Sequence, residues 1–298
     1  MGKILLHCDQ NLRQRYFAGL IAYLEAQGHE VHYVRQFRLP LSLDYHHAFL
    51  AHGLWPTQLE LTGLLQRFGV PYTIAEIGFF PQRDHFFFDS KGINAASALM
   101  EDDLSWVGPR QLERYREFRE AYAGGHRHTG KNRYVFCPLQ LAGDSNIQLH
   151  SPFKTMQAFI DHAERTFPGE PIVFKRHPKD PCREYRVSAG NTLLHDGDLH
   201  QAMSDARLVY GINSTALYEA VMQGVPTVAV GEGLLKRHHD QQERLLAALV
   251  DQQISVNERD YGYWLRRYAN PFLPDGRRDR HALTLVPRRL SRMFSRCV

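Results

Sequence analysis

The chain has 298 residues, 43% of them hydrophobic and 23% charged, and carries a net charge of +4 with histidine neutral. That balance excludes disordered and fibrous classes and leaves a folded globular protein with room for two domains. The four cysteines, Cys8, Cys137, Cys182 and Cys297, form no CxxC pair, so neither a zinc site nor a disulfide framework is indicated. The start MGKILLHCDQ lacks the features of a secretory signal or of myristoylation, and no apolar run reaches membrane-spanning length. A cytoplasmic protein is the expectation.

Taken in order, Lys3 to His7 reads as a buried strand, Leu12 to Gln27 as an amphipathic helix closed by Gly28, and Glu30 to Val34 as the next strand. This βαβ opening has no GxGxxG, which disfavours a dinucleotide. Ala48 to His52 and Tyr72 to Ala75 read as strands, with a helix from Gln58 to Phe68 ended by Gly69. EIGFFPQRDHFFFDSKGIN reads as a functional loop, which puts Glu76 directly after a strand, where crevice residues of α/β sheets lie. The acidic run Glu101-Asp102-Asp103 is expected to serve the N-terminal dipole of a charged helix, Leu104 to Tyr122. AGGHRHTGKN then reads as a linker.

The second half repeats the alternation. Strands are expected at Tyr134 to Leu141, Pro171 to Lys175, Leu208 to Gly211 and Pro226 to Val230. Helices are expected at Phe153 to Arg165, Leu199 to Ala206, Ser214 to Met222 and Gln241 to Leu249, with Tyr261 to Tyr268 crossing back to the first domain. The fold class is α/β, two Rossmann-like domains facing a central cleft. The expected limits are 1–128, 129–262 and a basic C-terminal tail, 263–298.

Three patterns can carry chemistry. Asp144 follows a buried strand in YVFCPLQLAGDSNIQLHSPF; as a crevice carboxylate it is a candidate for catalysis, and equally Asp144-Ser145 can cap a helix near Ser151 or turn the chain. FKRHP ends a strand with Lys175 and Arg176, and Pro178 pins His177 at the tip, suited to donating to phosphate or to a plain surface turn. GINST follows a strand and opens a helix, so Ser214 and Thr215 would face one anion, although ordinary N-capping by Asn213 or Ser214 explains the same residues. Glu219, one turn on, is either a ribose ligand or a solvated helix residue. The histidines show no metal-ligand spacing, and there is no GxSxG elbow and no P-loop.

Four elements, EIGFFPQ with DSKGIN, PLQLAGDSNI, KRHP and NSTALYEAVMQGVP, closely resemble the capsule polysaccharide biosynthesis family of bacterial retaining β-Kdo glycosyltransferases. The resemblance runs from Ala75 to Gly231. It implies a GT-B-like enzyme that takes 3-deoxy-D-manno-octulosonic acid (Kdo) from CMP-Kdo and attaches it to a saccharide or lipid-linked acceptor with retained configuration, using no metal and no cofactor. By motif, Asp144 would be the nucleophile and Glu76 the general acid/base. Lys175, His177, Ser214 and Thr215 would contact the CMP phosphate. Gln140, Ser145, Lys91, Asn94 and Glu219 complete the substrate-binding set, Lys91 and Asn94 bordering the sugar. The first loop, HCDQNLRQRYF, departs from the family in lacking a glycine-rich turn. A double displacement needs two carboxylates, roughly 5 Å apart in retaining glycosidases, and Asp144 and Glu76 can supply them.

Nine arginines lie between Arg266 and Arg296 against Asp275 and Asp279, with Leu290, Met293 and Phe294 interleaved. This tail is either a solvated face or a segment for an anionic membrane surface, which would make the protein peripheral to the inner membrane; nucleic acid is not an expected partner. Two other readings stay open. One is a teichoic-acid-type polyol-phosphate transferase, which would not need Glu76. The other is a non-catalytic protein that binds a glycolipid in capsule assembly or export.

Overall fold

A computed structural model describes residues 2–35, 44–51, 57–123, 126–131, 133–182 and 184–268. The chain divides into two compact units, the first made of residues up to Ala98 together with the chain from Gln252, the second of Leu99–Asp251. The basic tail beyond Tyr268 and His52 lie outside the described residues. No helix among those described is long and apolar enough to cross a membrane.

The first unit opens β1 (Lys3–His7), α1 (Gln10–Arg15), α2 (Ala18–Ala26), β2 (Glu30–Val34). It continues β3 (His47–Leu50), α3 (Thr57–Phe68), β4 (Tyr72–Ile77), β5 (His85–Asp89). Strand alternation sends Ile4 and Leu6 into a core with Phe17, Leu20, Phe49, Phe86 and Phe88, while Leu5 joins Ala48, Leu50, Leu61 and Leu65 on the other face. Both faces are thus covered, which explains why β1 and β3 read as continuous apolar runs.

Three expectations fail for identifiable reasons. The helix expected from Leu12 to Gln27 is broken into two at Tyr16 and Phe17, both of which are buried. The chain resolves this with a wide turn in which the Phe17 N–H bonds to the Leu12 carbonyl at 3.0 Å. The expected loop after Ala75 contains β5, antiparallel to β4, with Glu76 opposite Phe87 and Ile74 opposite Asp89. Glu76 therefore lies inside β4, not beyond it. Asp102 and Asp103 also differ from expectation: they accept from the Leu104 and Ser105 N–H groups at 2.6 and 2.9 Å, forming turns ahead of the helix rather than capping it.

That helix, α4 (Pro109–Ala123), belongs to the second unit, so the division falls at Ala98 and Leu99 and not in the 123–132 linker. Arg119 Nε donates to the Met222 carbonyl at 2.5 Å and Tyr122 Oη to Glu219 at 3.0 Å, tertiary bonds that pull α4 to this side. The unit continues β6 (Val135–Pro138), α5 (Ser145–His150), α6 (Met156–Thr166), β7 (Ile172–Lys175), β8 (Thr192–Leu194). Then come α7 (Leu199–Asp205), β9 (Leu208–Gly211), α8 (Thr215–Gln223), β10 (Thr227–Ala229), α9 (Leu234–Arg237) and α10 (Gln242–Gln252). The chain then returns to the first unit, adding β11 (Ile254–Ser255) antiparallel to β5, and α11 (Gly262–Tyr268).

The first sheet runs β11-β5-β4-β3-β1-β2 and the second β10-β9-β6-β7-β8. All pairs of the second sheet are parallel. Its chain order starts at the central β6, goes outward through β7 and β8, then jumps back to β9 on the other side of β6. The strand order thus reverses between β6 and β9, and the carboxyl ends of the strands beside such a reversal are where doubly wound sheets bind ligands.

Candidate active site

At that reversal the second unit brings together most of the residues singled out from the sequence. The loop leaving β6 carries Gln140, 7% exposed, and Asp144, the N-cap of α5. Asp144 Oδ1 accepts from the Asn146 backbone N–H at 2.8 Å and from Asn146 Nδ2 at 3.1 Å. The capping role read from the sequence is real, and it serves a helix earlier than the one expected near Ser151. Both bonds fall on Oδ1, so they fix the carboxylate plane and set Oδ2 as the other edge. Ser145 is the first residue of α5, half-buried beside it.

From the neighbouring strand, Lys175 ends β7, is 8% exposed, and accepts through its carbonyl from the Leu139 N–H at 2.8 Å. Two residues later the Lys179 N–H donates to His177 Nδ1 at 3.1 Å. Nδ1 is then an acceptor, and a neutral ring carries its proton on Nε2, ready to donate. Burial, followed by the charge of Lys179, lowers the His177 pKa and keeps the ring neutral, against the opposite pull of the Asp180 and Asp144 carboxylates. Asp144 and His177 are thus electrostatic neighbours. The turn itself is tied by Asp180, which accepts from Tyr185 Oη at 2.5 Å and from the Cys182 N–H at 3.0 Å, a role the sequence did not reveal.

The third component is the head of α8. Ser214 caps it, Oγ accepting from the Ala216 N–H at 3.2 Å, and Thr215 is its first residue. Gly211 lets this packing be close: a Cβ there would stand 2.7 Å from Leu217 Cδ2, so that side chain would have to shift. Asn213, 7% exposed, joins the loops. Its backbone N–H donates to Gln140 Oε1 at 3.2 Å and its Oδ1 accepts from Gln140 Nε2 at 3.1 Å. Its Nδ2 donates to the carbonyls of Asn146 at 3.1 Å and Glu232 at 3.3 Å. The only sequence signal for this cluster was the position of two carboxamides just past two buried strands.

Glu219 is not the solvated residue of one sequence reading. It is half-buried, accepts from Tyr122 Oη of α4, and burial raises its carboxyl pKa, with His200 of α7 opposing.

In the first unit, Glu76 is half-buried in β4 and its Oε1 accepts from the Ile77 N–H at 2.9 Å. Its charge reaches the buried phenol of Tyr16, whose pKa is raised first by burial and further by Asp84 and Glu76. The DSKGIN loop is organised by Asp89, 6% exposed. Asp89 accepts from the N–H groups of Lys91 at 2.7 Å, Gly92 at 3.0 Å and Ala98 at 3.1 Å, and from Ser97 Oγ at 2.6 Å. Asn94 is buried with φ 46°, a left-handed conformation that Asn tolerates better than most residues. Lys91 is exposed. Because β5 is antiparallel, this loop leaves the sheet beside Ile74, two residues back along β4 from Glu76.

Residues 93–237 match the family model described as capsule polysaccharide biosynthesis protein. Protein FixF of Sinorhizobium fredii (strain NBRC 101917 / NGR234) is 29% identical over 191 residues, 55% of this chain and 43% of that protein. The capsule polysaccharide export protein KpsS of Escherichia coli is 28% identical over 119 residues, 34% of this chain and 31% of that one. The chain matches less than half the length of these curated relatives. Among solved structures, a Thermosulfurimonas dismutans KpsC, β-Kdo 2,7 transferase, aligns with a TM-score of 0.61 at 17% identity, covering 86% of this chain and 96% of that one. A second, the β-Kdo 2,4 transferase of the same organism's KpsC, gives 0.59 at 15% identity, covering 82% and 89%. At these identities the likeness is one of fold. The Asp144, His177 and Ser214 loops all lie within residues 93–237, the part of this chain that is similar to the capsule polysaccharide biosynthesis family.

Proposed function

We propose that the protein is a retaining β-Kdo glycosyltransferase that moves Kdo from CMP-Kdo to a saccharide or glycolipid acceptor in bacterial surface polysaccharide synthesis. The observation that carries this reading is the grouping of Asp144, Lys175, His177 and Ser214 at the carboxyl edge of one parallel sheet, beside its reversal point. A carboxylate there, next to an imidazole whose free nitrogen is a donor and a capped helix head, suits a sugar held by a phosphate leaving group. The fold likeness to two β-Kdo transferases supports the same reading.

In this mechanism Asp144 Oδ2 attacks the anomeric carbon of Kdo, and the bond to the phosphate oxygen breaks with its electron pair going to CMP. His177 Nε2–H, the Lys175 ammonium and the Ser214 and Thr215 groups at the head of α8 receive the growing phosphate charge. Gln140 and Ser145 line the Asp144 side, and Glu219 sits behind the α8 head. The acceptor hydroxyl then attacks the same carbon from the vacated side, its proton passes to Glu76, and the ester bond breaks to restore the Asp144 carboxylate. Two inversions give retention. Kdo carries its own carboxylate, so attack by Asp144 is repulsive unless cations offset it; Lys175, Arg176 and Lys91 supply that charge, with Lys91 and Asn94 bordering the sugar.

The test is incubation of the full chain with CMP-Kdo generated in situ and a panel of saccharide and lipid-linked acceptors, read by mass spectrometry. Transfer with retained configuration is the expected result; an inverted product, or tighter binding of CDP-glycerol than of CMP, overturns the reading. The name of KpsS favours one second reading, a non-catalytic glycolipid-binding protein of capsule export. CMP binding with no turnover would select it.

A further inference from the structure

We infer that a relay of three carboxamides, Gln140, Asn213 and Asn146, couples the phosphate-binding edge of the site to the aim of the Asp144 carboxylate, with Asn213 as the positioning residue at its centre. The inference rests on the functional reading above.

The relay follows from the bonds at the reversal point. Gln140 and Asn213 form a closed two-point pair across the carboxyl ends of β6 and β9, at 3.1 and 3.2 Å. The Asn213 amide is fixed in sense because its nitrogen faces two carbonyl acceptors, those of Asn146 and Glu232. The first of these holds the backbone of the residue whose own N–H groups bind Asp144 Oδ1 at 2.8 and 3.1 Å. On its other side Asn213 is followed directly by Ser214, the cap of α8. A movement of the α8 head therefore reaches Asp144 through two side-chain amides, and loops leaving β6, β9 and β10 are locked by one side chain.

The chemistry of the links fits the task. A lysine or arginine in place of Asn146 would pair with Asp144 and hold it as a salt bridge, lowering its readiness to attack. Amides direct the carboxylate without cancelling its charge, and they add none beside a phosphate and a sugar acid. Buried amides left with missing partners are costly, so each link constrains the next.

The experiment is a double-mutant cycle in the full-length protein, Asn213→Ala, Asn146→Ala and both together, with transfer at saturating CMP-Kdo, CMP affinity by calorimetry and Tm measured for each. Asn213→Ala is expected to lower kcat about 100-fold, the scale of a misplacement near 1 Å, while CMP affinity changes less than about fivefold, near 1 kcal/mol. The double variant should be no slower than the slower single, because both cut one path. Effects on kcat that multiply, or a kcat that survives Asn213→Ala, overturn the relay. Should Asn213→Ala fail to fold, the half-buried Asn146 carries the test alone: Asn146→Ala must lose about tenfold in kcat with CMP binding kept, since it removes one of two donors aiming the carboxylate, and an unchanged kcat overturns the relay. Wild-type protein that binds CMP but transfers nothing overturns the functional reading itself, and the relay with it.

Discussion

In the second unit every strand runs the same way, whereas the first unit folds a hairpin back on its parallel core, β5 against β4 and β11 against β5. The difference decides where polar side chains can gather. Parallel strands deliver all their carboxyl ends to one edge, so Gln140, Asp144, Lys175, His177 and Ser214 arrive together from three connections. In the first unit the antiparallel turn sends the loop after β5 the opposite way from Glu76, and that loop is held instead by a single buried carboxylate, Asp89. In the proposed reading the second unit holds the anion and the first presents one carboxylate from within a strand.

The sharpest way to test that division is to remove the carboxylate from each unit in turn. Asp144→Asn is expected to abolish transfer while CMP affinity stays within about 1 kcal/mol, because a step of the reaction is lost rather than a ground-state contact. Glu76→Gln, in the other unit, should leave the first step intact and slow acceptor attack by about 100-fold or more, so that intact-mass spectrometry shows one added Kdo mapped to the peptide with Asp144. An adduct elsewhere, or full activity in Asp144→Asn, breaks the assignment.

Acid should separate the units next. Burial pushes His7 down to about 4, partly offset by the Arg35 backbone, and pushes His47, bonded to Thr73 at 2.9 Å, down to about 3. Each folded pKa lies below the unfolded value, so the stability is complete above about pH 6.5 and is lost as the pH falls toward those values. The loss is on the order of 3 kcal/mol for each histidine. In the second unit burial lowers His150 and His177 in the same sense but to a lesser extent, and it raises the Glu219 carboxyl, a shift of opposite sense. Hydrogen exchange at pH 4.5 is therefore expected to open β1 and β3 before β6 and β9; simultaneous opening would remove the contrast.

Smaller effects come from single contacts. Asp89→Ala strips the partners from three N–H groups and a hydroxyl and should cost about 3 kcal/mol in urea unfolding, at the upper end for a charged acceptor. His177→Ala should weaken CMP binding by about 1.5 to 3 kcal/mol with little change in stability, if Nε2 donates to a charged phosphate. A loss of stability without a loss of CMP affinity would assign that ring to the turn alone.

Much of the layering was readable in the sequence because the relevant physics is local. β1, β2 and β9 have the bounds expected of them, since buried apolar runs and Gly28 mark them clearly. β5 was hidden inside an aromatic run flanked by Pro81 and Gly92, where buried strand and functional loop look alike. β8 and β11 are edge strands of three and two residues, too short to show a period. The unit boundary was missed because α4 is drawn to its neighbours by Arg119 and Tyr122, long-range bonds that no local pattern announces. At the site, Asp144 and Ser214 were legible as caps or ligands, and the structure shows that capping is how they are held. Gln140, Asn146 and Asn213 act through one another across 73 residues of chain, which leaves no trace at any single position.

The return of the chain from Gln252 has a consequence for synthesis on the ribosome. Among the described residues the second unit is one unbroken stretch, Leu99–Asp251, and can close as soon as that stretch emerges. The first unit cannot: its core includes Ile254, Tyr261, Trp264 and Leu265, and the outer edge of β5 waits for β11. The segment made first is thus completed last, and through the translation of more than half the protein it exposes an apolar face and an unpaired strand edge, the features that chaperones bind and that aggregation exploits.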